Sequence, residues 1–300
     1  MDALRAQGKF PGPSAAITPG TFDRTALKNK TVVLTGGCSG IGEATLRAFV
    51  ETGAFVAFID TNKSRGEEIA AELSPKVSFM HGDVTSWPDQ KALFASAREL
   101  SPDGTIDIVF ANAGTTGGKD GFDAEPGEDG EPLEPDLTCV DINLKAVLYT
   151  VKLATHYWRE PPKEGQDRSL ILTASLAGYW DHTAKTQYGA TKWGVRGIMR
   201  SMRSKGMAKG FRTNLIAPWY MRTGIASEAA WDVIHDQWGA IFAEVEDSAT
   251  AVLHLAADNG ANGRGIGVVP RQAAECGYID LGRDELDTEL EAAEKWHVPR

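Results

Sequence analysis

The chain has 300 residues, 42% of them hydrophobic and 24% charged, a balance that excludes a wholly disordered or fibrous protein. Its 31 basic and 41 acidic residues leave a net charge of −10, and no basic stripe of the kind that tracks nucleic acid occurs. No apolar run is long enough to cross a membrane, and three scattered cysteines, Cys38, Cys139 and Cys276, argue against a disulfide framework or a zinc site.

Residues 1–29 form a Pro/Gly-punctuated arm without periodicity, either a flexible leader or a strap on the surface. The stretch MDALRAQGKFPGPSAA lacks the apolar core of a secretory signal, so a cytoplasmic, reducing location is expected. From residue 31 the pattern changes. TVVLT is followed by glycines and a helical stretch over about 40–52; AFVAFID is a second strand, then a helix runs to about residue 73. VSFMHGD, IDIVFANAG, SLILTAS, FRTNLIAP and GIGVV continue the series, with helical segments between them. Continuously apolar strands alternating with helices predict a parallel sheet covered on both faces. The fold class is therefore α/β, a doubly wound (Rossmann) sheet of about seven strands. One domain is expected over 30–270, with an acidic tail over 271–300. Residues 117–136 carry eight acids against one lysine and residues 280–300 seven acids against three bases, which leaves the body nearly neutral. Such runs read as solvated surface.

The segment TGGCSGIG directly follows the first strand. Gly36, Gly40 and Gly42, with Ser39 and Ile41, stand where a strand turns sharply into a helix. There the backbone can approach a pyrophosphate and the helix N-terminus supplies N–H donors. Asp60 ends the second strand, where a carboxylate can accept both adenosine ribose hydroxyls and would repel a 2′-phosphate. No Arg or Lys occupies the glycine turn. Both features favour NAD over NADP, although Lys63 and Arg65 lie close by.

TGGCSGIG, Asp83-Val84 after strand three, Asn112-Ala113-Gly114 after strand four, Asn143, Ser175, and Tyr188 with Lys192 four residues on occur in one order. That combination resembles the short-chain dehydrogenase/reductase family over roughly residues 30–270. Tyr188 and Lys192, at i and i+4, share a helix face. A phenol is a poor base at neutral pH, but a nearby ammonium and a positive nicotinamide ring favour phenolate. Tyr188 can then take or return the alcohol proton, while Ser175 hydrogen-bonds the substrate oxygen. The resemblance implies that Lys192 also holds the nicotinamide ribose and that Asn143 holds a water near the lysine. It further implies that Asp83 meets the adenine amino group and that Asn112, Ala113 and Gly114 line the adenine ribose side. Pro218 and Thr223 of PWYMRT match the family's segment after strand six, with Thr223 toward the nicotinamide carboxamide. Trp219 stands where the family usually has glycine.

Tyr179, Trp180, Trp219, Tyr220, Trp231 and Trp238 cluster where this family builds its pocket, the last two in a lid over about 224–246. An aromatic pocket suits a lipophilic or polycyclic alcohol or ketone. His182 is a candidate polar contact, and no histidine spacing calls for a metal. Near the end, GRGIGVVPRQAAECGYID resembles short-chain dehydrogenases related to 15-hydroxyprostaglandin dehydrogenase, which implies NAD-linked oxidation of a hydrophobic alcohol, as in secondary metabolism. The family also implies a homodimer or homotetramer. Two other functions remain open: a net non-redox step such as epimerisation, cyclisation or isomerisation, and a non-catalytic dinucleotide sensor.

Overall fold

The computed structural model describes residues 13–118, 122, 126–181 and 185–284. The apolar runs form eight strands: β1 Thr31–Thr35, β2 Phe55–Asp60, β3 Val77–His81, β4 Ile108–Ala111, β5 Ser169–Thr173, β6 Arg212–Pro218, β7 Gly265–Val268 and β8 Tyr278–Asp280. They make one sheet in the order β3-β2-β1-β4-β5-β6-β7-β8. The first seven are parallel, and β8 closes the edge antiparallel to β7. The seven strands expected from the sequence are present. The eighth lies inside the segment expected to be an acidic tail, because three residues are too short a run to show a period.

The helices are α1 Gly40–Glu51, α2 Lys63–Glu72, α3 Trp87–Leu100, α4, α5 Thr186–Met207, α6 Glu228–Trp238 and α7 Val245–Ala257. The helix α4 is continuous but irregular: Thr138–Val140, then a π-helical turn Asp141–Lys145, then Ala146–Tyr157. Side chains alternate across the sheet, so each face buries its own core. Val32, Leu34, Phe58 and Phe110 pack with Leu46 and Phe49 of α1 and Val252 and Leu255 of α7. Val33, Ala57, Val109 and Leu170 pack on the other side with Phe94 of α3, Val151 of α4 and Val195 and Met199 of α5.

From residue 13 the arm is a strap. Ser14 N–H donates to the Asn262 carbonyl at 2.8 Å, Ile17 N–H to the Asp280 carboxylate at 2.8 Å and Gly20 N–H to the Tyr278 hydroxyl at 3.1 Å. Arg264 forks onto the same Asp280 at 2.6 and 2.8 Å, which fastens strap and edge strand together. The chain leaves β1 toward β2 and β3 on one side and continues from β4 on the other. A crevice therefore opens over the carboxyl ends of β1 and β4, where such sheets take ligands.

Candidate active site

The turn from β1 to α1 closes only because its glycines lack side chains. A Cβ on Gly42 would stand 1.8 Å from the Gly36 carbonyl oxygen, and one on Gly36, whose φ is +73°, 2.8 Å from Ala113 Cα. Asn62, Ser86 and Ser227 cap α2, α3 and α6 with their side chains, whereas Ser39 makes no such bond to α1. The first turn of α1 therefore faces the crevice uncapped by its own side chain, an arrangement that fits a pyrophosphate.

Asp60 lies on the crevice wall. Its Oδ2 accepts the Cys38 N–H at 3.0 Å and its Oδ1 the Asn62 N–H at 2.9 Å. A carboxylate has about four acceptor sites, so capacity for ribose hydroxyls remains. Of the two cations nearby, Arg65 pairs with Glu43 and Glu68, and the exposed Lys63 approaches Glu67 at 3.8 Å. Asp83 accepts the Thr85 N–H at 2.8 Å and lines the crevice beside Val84. Asn112 also lines it, but its side chain is a staple between strands. Nδ2 donates to the Thr35 and Gly36 carbonyls at 3.2 and 3.1 Å, and Oδ1 accepts the Thr173 hydroxyl at 3.3 Å.

Ser175 follows β5 and caps the short 3₁₀ turn Leu176–Gly178, its Oγ accepting the Ala177 N–H at 3.2 Å. Its hydroxyl donates to the Pro218 carbonyl at 3.4 Å. Lys192 sits one helical turn along α5, its Nζ 5.4 Å from the Tyr188 ring centre and donating to the Thr173 carbonyl at 3.1 Å. Burial pushes the Tyr188 phenol up to about 12, against the opposing effect of Ser175. Burial likewise pushes Lys192 down to about 8. The expectation that the ammonium lowers the phenol is not met by the protein's own groups. Desolvation is the larger effect, and it holds Tyr188 as a neutral phenol at neutral pH.

Asn143 does not reach the crevice wall. It is buried in the π-helical turn, where Oδ1 accepts the Thr115 N–H and Nδ2 donates to the Thr115 carbonyl, both at 2.8 Å. Nδ2 also approaches Cys139 Sγ and Thr191 Oγ1 at 3.3 Å. The amide thus holds the loop after β4, immediately beyond Gly114.

One cavity of about 730 Å³ brings together Gly36, Ser39, Gly40, Ile41, Gly42, Asp60, Asp83, Val84, Asn112, Ala113, Gly114, Ser175, Tyr188, Lys192, Pro218 and Thr223. Trp180, Trp219, Trp231 and Trp238 line the same cavity. Trp180 and Trp219 meet edge to face with ring centres 5.9 Å apart, and Trp219 Nε1 donates to the Ile241 carbonyl at 3.0 Å. Trp231 is 5% exposed and donates to the Thr223 carbonyl at 3.0 Å, whereas Trp238 is 60% exposed at the rim. Tyr179 is not among the lining residues. Grouped by sequence with the pocket aromatics, it instead gives its hydroxyl to Asp284 at 2.6 Å. His182 lies outside the described residues. Lys185 carried no sequence signal, yet it lines the cavity and donates to the carbonyls of Thr116, Gly117 and Gly118 at 3.2–3.4 Å.

A family model described as short chain dehydrogenase matches residues 30–233. The chain is 35% identical to 5′-hydroxyaverantin dehydrogenase of Dothistroma septosporum over 282 residues, which covers 88% of this chain and 90% of that protein. It is 34% identical to 5′-hydroxyaverantin dehydrogenase stcG of Emericella nidulans over 67% of this chain and 70% of that one. It is 31% identical to (+)-borneol dehydrogenase 1 of Salvia officinalis over 81% of this chain and 92% of that protein.

Proposed function

The chain belongs to the short-chain dehydrogenase/reductase family, and from that premise we propose that it is an NAD(H)-dependent enzyme interconverting a secondary alcohol and a ketone on a small lipophilic or polycyclic substrate. One observation carries the reading. Ser175, Tyr188 and, one turn on, Lys192 share a cavity with the glycine turn.

The glycine turn and α1 would hold the pyrophosphate, Asp60 the adenosine ribose, and Asp83 and the Asn112–Gly114 loop the adenine side. Lys192 and Thr223 would hold the nicotinamide half. When bound, a nicotinamide dinucleotide supplies the hydride-exchanging ring and a positive charge that favours the Tyr188 phenolate. Ser175 donates to the substrate oxygen and steadies negative charge there. Tyr188 gives its proton to that oxygen during reduction and takes it back during oxidation. Asn143 supports the site from behind through Thr115. The pairing of Arg65 with Glu43 and Glu68 supports NAD, since it sets that guanidinium against two carboxylates.

The four tryptophans in the cavity lining support an apolar substrate held mainly by ring surface. The relatives' names support the same direction, two being dehydrogenases of 5′-hydroxyaverantin and one of (+)-borneol; a role in secondary metabolism is part of the proposal. The three cysteines are unpaired, as suits a cytoplasmic protein, and among the described residues no helix is long and apolar enough to cross a membrane. Self-association into a homodimer or homotetramer, which the family resemblance implies, is part of the proposal. The test is a panel of hydrophobic secondary alcohols with NAD and ketones with NADH, followed at the nicotinamide absorbance band. Turnover of at least one member, lost in Tyr188→Phe, is the expected result.

A further inference from the structure

We propose that Asp284, beyond the last strand, is a positioning residue that locks the Ser175 turn onto the helix carrying Tyr188 and Lys192. The proposal rests on the functional reading above for its catalytic consequence, while its structural part stands independently.

The proton-handling groups come from two separate elements, the turn after β5 and α5. They must stay in register for Ser175 and Tyr188 to share one substrate oxygen. The two elements touch where Gly178 lies on the α5 backbone: a Cβ there would stand 2.8 Å from the Lys192 carbonyl oxygen. Contact alone does not prevent the turn from lifting away. Arg196, one turn past Lys192, provides the tie. Its guanidinium lies 4.0 Å from the Tyr179 ring centre and donates to the Gly178 carbonyl at 3.3 Å. It also donates to Asp284 Oδ1 at 2.8 Å and to the Arg283 carbonyl at 2.7 Å.

Asp284 completes the joint and is itself 3% exposed. Oδ2 accepts the Tyr179 hydroxyl at 2.6 Å, Oδ1 also accepts Arg200 Nη1 at 3.3 Å, and its carbonyl accepts Arg203 Nη1 at 2.6 Å. One carboxylate thus bridges Tyr179, the residue that ends the Ser175 turn, to Arg196 and Arg200 on successive turns of α5, and the carbonyl of the same residue adds Arg203 on the next turn. Room for the bridge is reserved by Gly265 in β7, where a Cβ would stand 2.1 Å from the Tyr179 hydroxyl oxygen and 2.9 Å from Asp284 Oδ2. Removing the carboxylate would strand a partly buried phenol and leave the cations without their counter-charge, a combination that favours local opening. The part that opens first would be the turn holding Ser175 and, next to Tyr179, the cavity wall at Trp180. The dinucleotide half of the crevice, built on β1 to β4, would keep its shape.

The test uses the full chain with Asp284→Ala and the milder Tyr179→Phe, which removes one hydroxyl from the joint and leaves the ion pairs. Amide hydrogen exchange is compared with wild type, alongside NAD affinity by intrinsic fluorescence and steady-state kinetics. In Asp284→Ala the amides of Gly178, Tyr179 and Trp180 are expected to exchange at least about tenfold faster while those of β1 and β2 stay unchanged. NAD affinity is expected to hold within about twofold and kcat to fall about tenfold or more, the scale of a small displacement of a reacting group; Tyr179→Phe should move the same readouts less. Unchanged exchange in both variants overturns the proposal. So does exchange that quickens throughout the sheet, or NAD affinity that falls as steeply as kcat, since either marks general loosening. If wild type turns over no alcohol or ketone, the functional reading fails instead, and the exchange pattern still decides the lock.

Discussion

Lys192 Nζ stands 5.4 Å from the centre of the Tyr188 ring and 3.1 Å from the Thr173 carbonyl oxygen. The ammonium is thus fastened to the end of β5 beside the phenol and is not directly bonded to it. The two groups share one desolvated pocket, and burial makes the phenol harder to ionise and the ammonium easier to deprotonate. Both sit nearer their neutral forms than the i, i+4 spacing alone implies.

Tyr188→Phe keeps the ring and removes the exchangeable proton. Turnover is expected to fall at least about 10²-fold, the usual scale for losing a general acid/base, with NAD affinity retained. Steady-state rates near those of wild type would remove Tyr188 from the chemistry.

Stability should depend on pH through Lys192. Its pKa is about 8 in the fold against 10.5 ordinarily, so between those values the unfolded chain binds more protons and stability rises with pH. Below pH 8 the cost of the buried charge is fully present. Tyr188 acts oppositely and higher: about 12 in the fold against 10 ordinarily, it removes stability as pH climbs from about 10 to 12. Lys192→Met removes the first effect alone. The unfolding free energy of wild type minus that of the variant should climb by on the order of 2 kcal/mol between pH 8 and 10. A flat difference in urea titrations would contradict the burial of that charge.

Asp60 should set the cofactor preference. Wild type is expected to bind NAD more tightly than NADP, and Asp60→Ala to narrow the ratio at least about tenfold, the scale of one charge-assisted hydrogen bond. Fluorescence titration with both dinucleotides reads the ratio, and tighter NADP binding by wild type would reverse the assignment.

Gly42→Ala should fail for a steric reason. Its Cβ would stand 1.8 Å from the Gly36 carbonyl, a distance that only a backbone shift relieves. Dinucleotide binding is expected to drop at least about 10²-fold, because the phosphate-facing amides move with the turn. Binding equal to wild type by titration would show that the turn has another conformation to adopt.

The lid tryptophans should separate. Trp238→Ala is expected to raise substrate KM severalfold with Tm unchanged, since an exposed ring contributes little to folding. Trp231→Ala should raise KM and lower Tm as well, because a buried ring and its bond to the Thr223 carbonyl are lost together. Equal Tm values in the two variants would show that Trp231 does not anchor the lid.

The local order of this protein was legible without coordinates. The alternation of apolar strands with helices, the three glycines that close one turn, and the one-turn spacing of Tyr188 and Lys192 are set by residues close together in the chain. Backbone sterics and helical periodicity act at that range. What Tyr179 faces, where Asn143 sits, the role of Asn112 as a staple and the clamp made by Lys185 depended on partners far away in sequence. So did the edge strand at Tyr278–Asp280 and the joint at Asp284. The protonation of Tyr188 belongs with them. A pKa responds to how much water distant segments exclude, and that exclusion exists only once segments far apart in the chain have come together around the crevice.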